Sequence, residues 1–247
     1  MKIYIQYLLI TILGIACSGG SDSPSPNGGL SSDVGTGGSM ARFTINGNYL
    51  YAVNQSSLKV FDITEQSSPV YKNSVSLGFG IETVFPYKNT LFIGSETGMY
   101  IYNVDSPENP QRLSHYQHVF SCDPVVANDK YAFVTLRTEQ QGRCWRGVNQ
   151  LDVIDISNLS APTLIKSYPM VNPKGLGIDG NTLFICDDKL KVYDITTVTA
   201  INLKKEFNVK SYDVIPKNGN LFMIGESGFV QYEYSNDTIK YLSSIKK

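Results

Sequence analysis

One hexapeptide recurs five times along this chain, and its spacing restricts the fold more than any other feature. "LKVFDI" begins at Leu58, "MYIYNV" at Met99, "LDVIDI" at Leu151, "LKVYDI" at Leu190 and "FVQYEY" at Phe229, so the steps are 41, 52, 39 and 39 residues. The same parts surround each copy in the same order. A first run ("IETVFPY", "DPVVAN", "GLGID", "YDVIP") enters a turn and a second run ("NYLYAV", "TLFIG", "YAFVT", "TLFIC", "NLFMIG"). The hexapeptide follows, and a fourth run closes the unit ("PVYKNSVSL", "PQRLSHYQ", "PTLIKSYPM", "INLKKEF", "IKYLSSIK"). No run holds a helical period for 12 residues, and Asn46-Gly47, Asp179-Gly180 and Asn218-Gly219 supply the positive φ of tight hairpins. Four antiparallel strands at a period near 40 predict an all-β fold, a five-bladed β-propeller with blades at about 41–78, 79–118, 119–170, 171–209 and 210–247. Each blade is expected to bury both faces between its neighbours, because the third strands are apolar on both sides.

An acceptor recurs within the hexapeptide at Asp62, Asn103, Asp155, Asp194 and Glu233, and in three copies a proline follows seven residues later (Pro69, Pro110, Pro162). These side chains are expected to bond the backbone of the next turn, with the proline opening the fourth strand where no donor is needed. A ring of metal-binding carboxylates is the functional alternative.

The pattern "LDVID", echoed by "LKVFD" and "LKVYD", resembles the LVIVD repeat family of bacterial surface and secreted proteins. The resemblance implies a β-propeller and, for lipoprotein members, display at the cell surface; it implies no reaction, substrate or catalytic residue.

The first 17 residues, "MKIYIQYLLITILGIAC", place Lys2 before a short apolar run that ends in small residues and a cysteine, the layout of a secretory signal. "LGIAC" is similar to the lipobox of bacterial lipoproteins, which implies that Cys17 is lipidated. Residues 18–39 follow as a Gly/Ser/Pro-rich tether too poor in apolar side chains to offset its ordering entropy, and the propeller takes 40–247. An exported, membrane-anchored protein of the outer membrane or cell surface is the expectation, held by its lipid and monomeric. The net charge of -1 gives no basic field for nucleic acid.

The exported body keeps Cys122, Cys144 and Cys186, an odd number in a compartment that favours disulfides. Cys122 opens the first strand of blade 3, and Cys144 lies in the insertion between that blade's second and third strands. Both places open on one face, so Cys122–Cys144 is the expected bridge, contributing on the order of 3 kcal/mol. Cys186, ending "LFIC", reads as a small core residue. The insertion "RTEQQGRCWRGVNQ" explains the step of 52 and carries Arg143, Trp145 and Arg146, either a recognition loop or a cover for apolar surface. Strand register puts Glu82, Asp123, Lys174 and Asp213 near the channel mouth on that face, as a site for a cation or a polar ligand or as solvated rim residues.

"GLGIDG", Gly175 to Gly180, satisfies a dinucleotide-binding pattern but runs into a hairpin rather than a helix, so no cofactor is expected. His115 and His118 fall on opposite strand faces and form no metal pair. A non-catalytic binding or scaffolding module for a protein or glycan ligand is the favoured function. A hydrolase or lyase using the mouth carboxylates, or a structural envelope protein, are the alternatives.

Overall fold

The structure is a computed structural model and describes residues 37–122, 124–138 and 147–247. Twenty strands form five four-stranded antiparallel sheets, each in simple sequential order, arranged as a five-bladed β-propeller. Blade 1 is β1 (Phe43–Asn46), β2 (Tyr49–Val53), β3 (Ser57–Asp62) and β4 (Val70–Ser76). Blade 2 is β5 (Ile81–Tyr87), β6 (Thr90–Ser95), β7 (Gly98–Asn103) and β8 (Gln111–Gln117). Blade 3 is β9 (Val125–Ala127), β10 (Tyr131–Leu136), β11 (Gln150–Asp155) and β12 (Thr163–Pro169). Blade 4 is β13 (Leu176–Asp179), β14 (Thr182–Cys186), β15 (Leu190–Asp194) and β16 (Asn202–Phe207). Blade 5 is β17 (Asp213–Lys217), β18 (Asn220–Gly225), β19 (Gly228–Ser235) and β20 (Thr238–Lys246).

Local chemistry explains the repeat. The inner hairpins turn through Gly47 at φ 58°, Gly180 at φ 55° and Asn218 and Gly219 at φ 52° and 73°. Four of the five recurrent acceptors take the amide two residues on: Asp62 from Thr64 at 2.9 Å, Asn103 from Asp105 at 2.7 Å, and Asp155 and Asp194 from Ser157 and Thr196 at 2.8 Å each. In the three aspartates those bonds stabilise the carboxylate form. The hydroxyl and amide of Thr64 hold Asp62 below the usual carboxylate range, and those of Thr196 do the same for Asp194.

The third and fourth strands also slip by one residue at the same place in every blade, between Val60 and Phe61, Ile101 and Tyr102, Val153 and Ile154, Val192 and Tyr193, and Gln231 and Tyr232. A bulge there bends and twists the outer strand, as stacked blades require.

The blades do not all bury both faces. Blades 2, 3 and 4 do: Leu91, Phe92 and Ile93, then Ala132, Phe133 and Val134, then Leu183, Phe184 and Ile185, are consecutive and almost fully buried. In blade 1 the buried apolar strand residues are Tyr51, Val53, Leu58 and Val60, toward blade 2, and in blade 5 they are Val214, Leu221 and Met223, toward blade 4. Three apolar clusters result, joining blades 1 and 2, blades 2 to 4, and blades 4 and 5. The expectation of two buried faces therefore fails for the two end blades, each of which packs on one neighbour.

Candidate functional site: the channel mouth

The first strands line the central channel. At the end where they begin, a cavity of about 290 Å3 is lined by Met40, Arg42, Glu82, Thr83, Cys122, Pro124, Arg137 and Lys174. Lys174 is held through its backbone, whose amide donates to the Cys186 carbonyl at 2.7 Å and whose carbonyl accepts from Thr135 Oγ1 at 2.6 Å. Its ammonium lies 4.8 Å from the centre of the Tyr212 ring, a cation–π contact that fixes the side chain at the rim.

Arg137 and Cys122 exchange backbone hydrogen bonds of 3.1 and 3.3 Å across an isolated bridge. The insertion of blade 3 is thus rooted in the cavity wall. Its return end is tied there too: the Thr138 amide donates to Asn149 Oδ1 at 2.9 Å, and the Asn149 amide group donates to the Val171 carbonyl at 2.9 Å.

Of the four expected mouth residues, Glu82 and Lys174 are brought to one cavity. Asp213 is not among its lining residues, and it is engaged elsewhere. Its carboxylate accepts from Ser39 Oγ at 2.8 Å, from the Met40 amide at 3.2 Å and from the Val214 amide at 3.0 Å. Ser39 Oγ in turn accepts from the Leu176 amide at 2.8 Å. Burial pushes the Asp213 carboxyl up to about 6 against these bonds. Asp123, Arg143, Cys144, Trp145 and Arg146 lie outside the described residues, as does Cys17.

Sequence reasoning missed Arg42 and Arg137, because both sit beside strand ends and no motif marks them. With them the described lining carries three cationic side chains and one carboxylate, so among the described residues cations outnumber carboxylates, where the sequence count gave three carboxylates and one lysine. Among the described residues no group of His, Cys, Asp and Glu is placed to hold a metal ion.

Residues 37–42 form a strap inside the channel. Gly37 helps line a second cavity of about 240 Å3 at the far end, among Phe85, Tyr87, Val126, Ile178, Ile215 and Pro216, whereas Met40 and Arg42 reach the mouth. The strap bonds blade 2 as well, since the Ala41 carbonyl accepts from the Val84 amide at 2.8 Å. Gly37 to Ser39 fall within the tether expected from composition, yet Ser39 is fully buried. The partners that bury it come from β13 and β17, which no local composition reveals.

The LVIVD repeat family model matches residues 37–76 and 147–169. Two segments of the chain thus match the LVIVD repeat. The matched LVIVD segments are the strap with blade 1, and the third and fourth strands of blade 3. No curated protein matches the chain.

Among solved structures, a Lactobacillus plantarum protein is 14% identical, covering 81% of this chain and 68% of that one with a TM-score of 0.63. A functionally unknown Desulfotomaculum acetoxidans protein is 9% identical, covering 81% of this chain and 66% of that one with a TM-score of 0.64. Kluyveromyces lactis Hsv2 is 11% identical, covering 78% and 59% with a TM-score of 0.52. The chain thus spans just under two thirds of the second of these structures and about three fifths of the third, and at these identities the likeness concerns the fold alone.

Outside the mouth, the other described residues singled out by sequence serve the propeller scaffold. Cys186 is the one free cysteine among the described residues. It is buried, its Sγ accepts from Ser211 Oγ at 3.0 Å, and burial raises its thiol to about 12, far from a nucleophile's range. His115 stacks on Tyr100 with ring centres 3.9 Å apart, and His118 lies 6.5 Å from Tyr116. In "GLGIDG", a Cβ on Gly177 would stand 2.6 Å from the Val214 carbonyl oxygen, so the glycine lets β13 approach β17. Gly180 makes the turn.

Proposed function

We propose that the protein is an exported, lipid-anchored binding module whose channel mouth takes an acidic ligand, with no catalytic role. The basic lining formed by Arg42, Arg137 and Lys174 around Glu82 carries this reading. Cationic groups converging on a concave site at one end of a rigid barrel attract carboxylates or other anionic groups of a glycan or protein, and Glu82 adds an acceptor that orients them. The hydrolase alternative drew on paired carboxylates at the mouth, and the engagement of Asp213 by Ser39 and Met40 weakens it.

The Cys122–Cys144 disulfide belongs to the same proposal. Cys122 lines the mouth, so a bridge from it would hold Arg143, Trp145 and Arg146 beside the cavity.

The test is a binding survey of uronate, sialylated and sulfated glycans and acidic peptides, repeated with Lys174→Glu and Arg42→Glu. A hit that weakens at least tenfold in both variants and with rising salt supports the reading. Failure of every acidic probe, or binding indifferent to both substitutions, overturns it. Mass spectrometry of the mature protein tests the anchor, since an N-terminus without a lipidated Cys17 contradicts it.

A further inference from the structure

The two end blades each present an uncovered apolar face. On blade 1 the face away from blade 2 carries Phe43, Ile45 and Tyr71, at 63%, 48% and 55% exposed, with Phe61 edge-to-face on Tyr71 at 5.7 Å. On blade 5 the face away from blade 4 carries Ile224 and Ile245, at 52% and 71% exposed, with Phe222 and Phe229 stacked at 6.2 Å. Cross-strand register puts these residues on one side of each sheet: Phe43 opposes Ala52 and Ile45 opposes Leu50, while Ile224 opposes Phe229 and Phe229 opposes Ile245.

In blades 2 to 4 the same positions are closed by the neighbouring blade. β1 packs on β5, β5 on β9, β9 on β13 and β13 on β17, but among the described residues no apolar cluster joins β17 to β1. The connection between blades 5 and 1 is instead the strap at the inner edge, where Ser39 and Met40 bond Asp213 and a Cβ on Gly38 would stand 3.4 Å from Ile215.

We infer that blade 5 of one copy packs on blade 1 of a second copy, so that the protein self-associates head to tail through these two faces. The occupant follows from continuity with the contact already inside the chain. The blade-to-next-blade interface is repeated four times, and the uncovered faces are its two unmatched halves, one of each kind. A second copy offers to blade 5 the half that its own blade 1 does not deliver, while the strap holds the inner edges of the two end blades. Such a contact is heterologous, so it closes into a ring of copies or continues as a chain. The monomer expected from sequence presupposed end blades that cover one another. Exposed aromatic and aliphatic faces of this kind mark interaction surfaces on soluble proteins.

The experiment uses Ser18–Lys247, which holds every described residue and lacks the cysteine whose lipid would itself drive association. Light scattering and sedimentation are run on this chain and on Phe43→Glu and Ile224→Glu, alone and mixed. Wild type is expected at twice the chain mass or more at tens of micromolar. Each variant alone is expected as a monomer with unchanged circular dichroism and Tm, since both side chains are already exposed. Mixed one to one, the variants are expected to form a dimer and nothing larger, because each retains the face the other has lost. A monomeric wild type, or variants that fail to pair on mixing, overturns the inference. Loss of Tm in both variants with no change in mass overturns it in favour of closure within one chain.

Discussion

At the scale of single residues, two kinds of aspartate show how position sets chemistry. Asp62, Asp155 and Asp194 are half-buried turn acceptors, and their role requires an acceptor rather than a charge, as Asn103 shows in blade 2. Asp194→Asn is therefore expected to leave Tm unchanged and Asp194→Ala to lower it measurably, a pair that calorimetry separates. Asp213 is the opposite case. Its carboxyl rises from 3.8 to about 6 because burial penalises the charge more than the bonds from Ser39, Met40 and Val214 favour it.

Between pH 6 and 4 the folded protein holds a proton at Asp213 that the unfolded chain has released. This group's contribution therefore grows as pH falls through that window and is lost as pH rises through 6. Denaturant unfolding should show wild type gaining stability over Asp213→Asn from pH 7 to pH 4, by at most about 3 kcal/mol. Taking the difference between the two proteins cancels the opposite trend of the exposed carboxylates.

At the scale of elements, strands, hairpins and turns were legible because each rests on chemistry within a few residues. The period of "LKVFDI" and the Asn-Gly and Asp-Gly turns locate all five blades. The recurrent bulge between the third and fourth strands was not legible, since Val60-Phe61 and Val192-Tyr193 read as uninterrupted apolar pairs. Nor was the reason for Gly177, which lies in the approach of β13 to β17 rather than in its own strand. Gly177→Ala is expected to cost about 1–3 kcal/mol by forcing those strands apart, measurable as a lower denaturation midpoint with an unchanged slope.

The twin hexapeptides make the same point with identical residues. Lys191 in "LKVYDI" is buried against Asp187 at 2.8 Å and Asp188 at 2.9 Å. Burial alone would lower its pKa, but these two carboxylates raise it overall. Lys59, at the same place in "LKVFDI", is exposed on the uncovered face of blade 1.

At the scale of the whole molecule, cohesion is uneven: the three middle blades are packed on both sides and the end blades on one. Hydrogen exchange should rank the amides of β6, β10 and β14 slowest and those of β1 and β20 among the fastest, and a uniform profile would contradict this distribution. The candidate site divides in the same way. Lys174 and Glu82 were found from strand register, which is a local count. Arg42 and Arg137 were not, because the strap and the blade 3 bridge bring them to the mouth from segments that carry no repeat. The sequence by itself determined the fold class, the number of blades and the chemistry of each turn, since these follow from periods and short-range hydrogen bonds. Only the tertiary structure decided which described charges meet at the mouth, the withdrawal of Asp213 to the strap and the exposure of the end faces, because each depends on which blade lies next to which.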